Sequence, residues 1–199
     1  MIASVAEVGN TMAMPAETFP ELMTADQLLT VEIPGKWTEL IRGHLVGREP
    51  PSTYHGIVSW KLDQIVGQVV RDNQSGVLCG QDTGFKIESN PDTVRAPDLA
   101  FIASHRLSLV PRRGYAPLAP DLVAEVVSVG DRPGELLRRV GVWLNAGVRL
   151  VWVIDPERTE ARVHRPDGSV SIISKDGTLN GEDVLPGFSC PLAEVLTYT

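Results

Sequence analysis

The sequence predicts one mixed α/β domain, in which a twisted sheet is flanked by two main helices. Apolar residues recur at helical spacing over residues 53–70 and again over residues 134–146. Short runs rich in Val, Ile and Leu, such as 121–127 and 150–154, are typical of buried strands and alternate with the helical segments. With 199 residues, 43% of them hydrophobic, the chain is long enough to bury one sizeable core.

Before the first long helix, the sequence predicts a leader, a short helix and a hairpin. Residues 1–20 lack periodicity and are expected to form a flexible leader, which leaves residues 21–199 as a single domain. Thr24 precedes a short apolar run and is followed three residues later by a glutamine, which is the pattern of a capping box. The stretch 37–46 is typical of a hairpin that turns at residues 42–43.

The middle of the chain is expected to supply the centre of the sheet. Residues 76–87 and 96–103 are predicted to be strands because of their apolar and β-branched content. After a loop over residues 104–119, the almost continuous apolar sequence of 121–127 predicts a central strand buried on both faces. The following helix, 134–146, should pack through an apolar face formed by Leu136, Leu137, Val140, Trp143 and Leu144.

The C-terminal third predicts a further buried strand over residues 150–154 and a hairpin around the Asp-Gly pair at 167–168. An apolar tail over residues 185–196 is expected either to cover an edge of the sheet or to pair between two subunits, which would make a homodimer. All four tryptophans are expected to be core residues.

Two carboxylates stand within strand-like sequence. Asp98 follows Pro97 at the start of an apolar run, and Glu125 lies in the middle of the predicted central strand. A carboxylate beside a buried strand is costly unless it is paired or binds a cation. Two converging carboxylates would form an oxygen-ligand site for a hard divalent ion such as Mg²⁺, although Asp98 has the alternative of capping a strand.

Composition restricts the function classes. The net charge of −7 and the pI of about 5.1 count against tight, purely electrostatic binding of DNA. Two distant cysteines, Cys79 and Cys190, do not favour a structural zinc site and are expected to be reduced. Neither a membrane-spanning stretch nor a signal-peptide pattern is visible, so we expect a cytoplasmic protein with no membrane partner. Motifs of phosphate-binding loops and of serine hydrolases do not occur.

Several motifs together resemble one bacterial family. They lie at residues 39–41, 97–98, 121–128 (DLVAEVVS), 151–156 (VWVIDP) and 185–188 (LPGF). In this order they resemble the Uma-two group of restriction endonucleases within the PD-(D/E)XK nuclease superfamily, over roughly residues 22–196. The resemblance implies a restriction-endonuclease-like core with a mixed α+β architecture.

The resemblance also implies roles for individual residues. Asp98 and Glu125 would bind Mg²⁺ or Mn²⁺, and the main-chain carbonyl of Val126 would add a third oxygen. The superfamily places a lysine two residues after the glutamate, where this sequence has Val127. In this group the lysine is typically found on the following helix, and the matching residue here is Arg139. Arginine stays charged and is a poor proton acceptor, but it can stabilise charge on a phosphate.

Three further residues are candidates for accessory roles. Glu39 matches an acidic position in the family's N-terminal hairpin, or is a solvated strand residue. His55 would contact a phosphate or act as an accessory base, or it packs locally at the start of its helix. Asp82 would join the metal ligands, or it serves a turn.

The leading interpretation is therefore a Mg²⁺-dependent endonuclease acting on DNA. The alternative is a catalytically degenerate module of the same fold that binds protein or nucleic acid, as a monomer or as a homodimer.

Overall fold

The structure, a computed structural model, describes residues 22–197, in which short helices and two long ones separate runs of strands. The leader predicted for residues 1–20 lies outside the described residues. The helices are α1 (Ala25–Leu28), α2 (Thr53–Asp72), α3 (Pro133–Asn145) and α4 (Leu192–Leu196), with a 3-10 helix at Ser104–Leu109. The strands are β1 (Trp37–Ile41), β2 (His44–Arg48), β3 (Gly76–Gly80), β4 (Phe85–Glu88), β5 (Thr93–Arg95), β6 (Leu99–Ala103), β7 (Leu122–Val126), β8 (Leu150–Asp155), β9 (Glu160–His164), β10 (Val170–Ser174), β11 (Thr178–Asn180) and β12 (Ser189–Pro191).

Within residues 22–197 the strands form three sheets. The central six-stranded sheet has the order β10-β9-β8-β7-β6-β3, and the N-terminal four-stranded sheet has the order β2-β1-β5-β4. A small two-stranded sheet joins β11 and β12. In the central sheet only β7 and β8 run parallel, and α3 connects them. The predicted mixed α+β architecture, with helices flanking a mixed sheet, is confirmed.

The central sheet is buried on both faces because alternate residues of each strand point to opposite sides. One face packs against α2 and the C-terminal tail, and the other packs against α3. All five residues of β7 are buried, as its continuous apolar sequence predicts. The tail packs into the core of its own chain, where Phe188 lies 5.1 Å from Trp152 between ring centroids. Its apolar residues therefore cover a face of the sheet rather than an edge.

Local sequence signals at the N-terminus are confirmed. The Thr24 hydroxyl accepts a hydrogen bond from the Gln27 amide at 3.3 Å, and the Gln27 side chain accepts one from the Thr24 amide at 2.8 Å. This capping box starts α1. The β1–β2 hairpin turns at Arg42 and Gly43, which both adopt positive φ, the conformation that a two-residue hairpin turn of this kind requires.

Two predicted strands are wrong in extent. Residues 76–87 form two strands, β3 and β4, which belong to different sheets. The break falls at a turn in which Asp82 adopts a φ of 67°. The predicted strand over 96–103 begins only at Leu99, because Pro97 has no amide hydrogen for a ladder bond. The loop predicted over 104–119 also contains the 3-10 helix.

Three apolar side chains are less buried than predicted. Leu137 is 57% exposed, because the buried stripe of α3 runs through Leu136, Val140 and Trp143 instead. Trp37 and Trp60 are 38% and 60% exposed, so the prediction that all four tryptophans are core residues is wrong.

Both cysteines are free, as expected. None of the helices within residues 22–197 is both long and apolar enough to cross a membrane.

Candidate active site

The structure brings Asp98 and Glu125 together at one end of the central sheet. Strands β6 and β7 are antiparallel neighbours with Leu99 opposite Ala124, so Asp98 and Glu125 face each other one residue further along. The Val126 amide donates a hydrogen bond of 2.6 Å to Asp98 Oδ2. The peptide after Glu125 therefore directly contacts the Asp98 carboxylate.

The Asp98 carboxylate is held by three donors. Besides the Val126 amide, His55 Nε2 lies 3.2 Å from Oδ2, and Gln81 Nε2 donates to Oδ1 at 3.3 Å. Burial alone would raise the pKa of Asp98, but the hydrogen bonds from His55, Val126 and Gln81 and the charge of His55 together lower it. Asp98 is thus kept as a carboxylate, which is the form that binds a cation.

Glu125 is 1% exposed, and each of its carboxylate oxygens has a partner on α3. Arg139 Nη1 donates to Oε2 at 2.9 Å, and Trp143 Nε1 donates to Oε1 at 2.7 Å. Burial raises the pKa of Glu125, and the negative charge of Asp98 adds to this effect. The Arg139 charge and the Trp143 hydrogen bond oppose it.

Arg139 also contacts Asp131 in the loop before α3, with Nη2 3.4 Å from Oδ1. The other Asp131 oxygen accepts a hydrogen bond from the Ser128 amide at 2.8 Å, which fixes the loop that follows β7. Burial by itself would lower the pKa of Arg139, but the charge of Glu125 reverses this and raises it. The guanidinium is therefore a permanent positive charge beside the two carboxylates.

His55 lies near the start of α2, where the Ser52 side chain caps the helix. The His55 ring is buried and contacts Ser59 Oγ at 3.4 Å and Gln81 Nε2 at 3.2 Å through Nδ1. Its other nitrogen contacts Asp98. His55 thus links α2 to the candidate site rather than packing only within its own helix.

Glu39 and Asp82 lie at the margin of the site. Glu39 is 3% exposed, accepts a hydrogen bond from the Ala96 amide at 2.9 Å and lies 3.1 Å from Arg95 Nη1. It is therefore not a solvated strand residue. Asp82 is exposed at the β3–β4 turn, and partial burial together with the negative charge of Asp98 raises its pKa. This placement fits its turn role and also leaves its carboxylate facing the same cleft.

A cleft of about 1360 Å³ opens above these residues. The β1–β2 hairpin forms one wall, and the loop after β7 with the start of α3 forms the other. His55, Asp98 and Arg139 reach its surface. Clefts in which a few polar and charged groups converge are typical of substrate-binding sites.

Within residues 22–197, no three side chains of His, Cys, Asp or Glu are arranged as a ready metal cluster. The donor set nevertheless fits Mg²⁺, which is usually bound by one or two carboxylates and keeps several water ligands. Asp98 and Glu125 supply two such carboxylates. Asp98 Oδ2 already faces two donors, but Asp98 Oδ1 and both Glu125 oxygens each face one, which leaves a lone pair on each of these three for a metal ion. A role for the Val126 carbonyl stays a prediction.

Sequence reasoning missed three residues that shape the site. Gln81 joins His55 to Asp98, Trp143 supports Glu125 by its indole nitrogen, and Asp131 holds Arg139. Only Asp131 has a local signal, since it follows Ser128 by three residues and forms a side-chain turn with its amide.

The fold is of the restriction-endonuclease-like class, and it brings two carboxylates together at one end of its mixed central sheet. Residues 25–193 match the model of the Uma2 family, described as "Putative restriction endonuclease", and the chain belongs to this family. The resemblance stated from the sequence is confirmed. No curated protein matches the sequence significantly.

One solved structure is similar over nearly the whole fold. It is the crystal structure of a "putative nuclease belonging to DUF820" from Anabaena variabilis, with a TM-score of 0.73 and 18% sequence identity. The match covers 87% of this chain and 97% of that chain. At this identity the likeness shows a common fold.

Proposed function

We propose that this protein is a Mg²⁺- or Mn²⁺-dependent endonuclease that hydrolyses phosphodiester bonds in DNA. The observation that carries the proposal is the direct apposition of Asp98, which lines an open cleft, and Glu125, which is buried next to it, with Arg139 beside them. Membership of a family described as restriction endonucleases supports the same reaction class.

The metal would be held by the carboxylates of Asp98 and Glu125, with the Val126 carbonyl as a third oxygen. A bound divalent ion supplies polarisation of the phosphate and a lowered pKa for an attached water. The chain prepares this site by keeping Asp98 ionised through its contacts with His55, Gln81 and the Val126 amide. These three donors also fix the direction in which the carboxylate points.

Arg139 would offset negative charge that develops on the phosphate. Its guanidinium cannot take a proton from water, so it differs in this respect from the lysine typical of the family. Trp143 keeps Glu125 in place when Arg139 turns toward a phosphate, because the indole holds the other carboxylate oxygen. His55, Glu39 and Asp82 would be accessory residues: His55 positions Asp98, and Glu39 neutralises Arg95 beneath the cleft.

The second candidate function is a degenerate nuclease-fold module that binds nucleic acid or protein without cleaving it. The ion pair between Arg139 and Glu125 favours this second function. An Arg139 that stays paired occupies one carboxylate oxygen of Glu125, which is then less available to a metal ion. A homodimer would be compatible with either function.

The test combines metal titration calorimetry with plasmid nicking for the wild type and Glu125→Gln. We expect metal binding and metal-dependent nicking in the wild type and loss of both in the variant. Glu157→Gln is the matched control, since Glu157 is exposed in the turn after β8 and its replacement removes the same charge. Metal binding without nicking in the wild type would favour the degenerate module, and nicking by Glu125→Gln at the wild-type rate would refute the proposed site.

A further inference from the structure

An exposed tryptophan lies on the cleft wall and has no part in the chemistry proposed above. Trp37 begins β1, is 38% exposed and lines the cleft. Alternate residues of a strand share a face, so Trp37 lies on the same side of β1 as the buried Glu39. Arg48 is the cross-strand partner of Trp37, and its Nη1 lies 3.8 Å from Glu39 Oε1. An indole and a guanidinium therefore lie side by side on this wall.

The charges of the cleft do not favour binding through phosphates alone. Most of its cations already face carboxylates: Lys36 lies 2.8 Å from Glu49, Arg95 lies 3.1 Å from Glu39, and Arg139 lies 2.9 Å from Glu125. Among the described residues that line the cleft, Arg138 has no ion pair and Arg48 has only a distant one. Proteins that hold duplex DNA by its backbone usually present a basic surface, and this chain carries a net charge of −7.

The size of the cleft favours a polymer over a small ligand. Its volume of about 1360 Å³ exceeds the range of about 300–1,000 Å³ usual for small-molecule pockets. Aromatic side chains on such a surface bind bases by stacking, which needs no net positive charge. A base inside a duplex already has neighbours on both faces, so an indole can stack fully only on a base that has left the helix.

We infer that this cleft binds a single-stranded or locally unpaired stretch of nucleic acid, with one base stacked on Trp37 and an adjoining phosphate on Arg48. The inference rests on the proposed function, because it takes nucleic acid as the substrate. It adds that the bound form is single-stranded or locally unpaired. Duplex regions would enter the site only where a mismatch, a loop or an end supplies an unstacked base.

The test is a binding titration in EDTA, so that cleavage does not contribute. The probes are fluorescein-labelled oligothymidylate and oligouridylate of about 12 nucleotides, within the usual span of single-strand sites, and a blunt hairpin duplex of similar length. We expect both single strands to bind about tenfold more tightly than the duplex. Trp37→Ala should weaken single-strand binding by about tenfold, the range typical of losing one stacked base.

Trp60 offers a matched control, because it is 60% exposed on α2 and does not line the cleft. Trp60→Ala should bind like the wild type. Trp37→Phe should restore most of the binding and also remove the quenching of tryptophan emission that we expect when single strands bind. Trp60→Phe should keep that quenching. These conservative variants keep the test valid if Trp37→Ala fails to fold.

Equal binding of duplex and single strands, unchanged binding by Trp37→Ala, or no binding of any probe would overturn the inference. Plasmid nicking by the same proteins distinguishes failure of the stacking inference from failure of the proposed endonuclease function. Nicking that depends on Glu125 but not on Trp37 would leave the endonuclease standing and remove the stacking site. Binding that depends on Trp37 in a protein that never nicks DNA would support the stacking site alone.

Discussion

The indole of Trp143 donates a hydrogen bond of 2.7 Å to Glu125 Oε1, and both residues are almost completely buried. The bond joins α3 to the central strand β7 at the one place where that strand carries a charge. A buried carboxylate without such a partner is costly. The Trp143 bond therefore both stabilises the fold and orients Glu125, the proposed metal ligand. The first prediction follows from this double role.

Trp143→Phe should destabilise the protein more than Trp152→Phe. Both tryptophans are fully buried, but among the described residues Trp152 Nε1 has no hydrogen-bond partner. The two variants therefore lose similar volume, and only Trp143→Phe leaves a buried carboxylate oxygen unsatisfied. We expect the difference between their free energies of unfolding in urea to be about 1–3 kcal/mol. Equal destabilisation would mean that the Trp143 bond contributes nothing beyond packing.

Arg139→Ala should be strongly destabilising at neutral pH. It leaves Glu125 buried and unpaired, for which the expected cost is about 3–5 kcal/mol of unfolding free energy. Arg138→Ala is the matched control on the preceding residue, which is exposed, and its effect should stay within about 0.5 kcal/mol. The measurement is urea denaturation followed by circular dichroism. A loss for Arg139→Ala no larger than that of the control would show that the ion pair does not support the folded state.

Arg139→Lys tests the chemistry of the same position. A lysine keeps the positive charge and, unlike arginine, can lose a proton and orient an attacking water. If the proposed endonuclease is limited by proton transfer, the variant should nick supercoiled plasmid about tenfold faster in Mg²⁺. Arg138→Lys should leave the rate unchanged. A slower Arg139→Lys would show that the planar guanidinium, and not a proton acceptor, is what this site requires.

Asp63 predicts a pH-dependent change in stability. It lies on α2, and its Oδ1 is buried without a hydrogen-bond partner among the described residues. Burial, with the charge of Asp98 adding to it, raises the pKa of Asp63 from 3.8 to about 6. Because the pKa is higher in the folded state, the protonated form stabilises the fold below pH 4, and this contribution disappears as the pH rises through 6.

Asp63→Asn should therefore stabilise the protein at pH 7 and have little effect at pH 4. The pKa change alone would correspond to about 3 kcal/mol. Asp63 is only partly buried, so solvent screening reduces the expected gain to about 1 kcal/mol. Urea denaturation in EDTA at both pH values measures it, with Glu157→Gln as the exposed control. A gain of the same size at pH 4 would contradict this explanation.

The sequence predicts those parts of the site that are determined by residues close together along the chain. Asp98 and Glu125 stand out because each is a carboxylate inside an apolar run, and the structure places them together. The position of Arg139 follows from the resemblance to the family, and its contact with Glu125 is observed. The capping box of α1 and the hairpin turns are similarly local and are confirmed.

The remaining parts of the site depend on tertiary docking and have no local signal. Gln81 reaches His55 only because β3 pairs with β6 while α2 packs beside it. The sequence offers a turn role for Asp82, but residues 76–87 still predict one strand, because the residue at positive φ in this turn is Asp82 and not the glycine that usually marks such a position. The exposure of Trp37 has no sequence signal, because periodicity indicates which residues share a face but not whether that face lines a cleft.

The single parallel pair in the central sheet has an evolutionary consequence. Because β7 and β8 run parallel, the chain must cross from one end of the sheet to the other between them, and α3 is that crossing. Glu125 and its two partners, Arg139 and Trp143, are thus encoded within one short βαβ segment. Recombination that exchanges this segment between relatives would transfer the proposed acidic ligand with the cation that balances it, so the two would be inherited together.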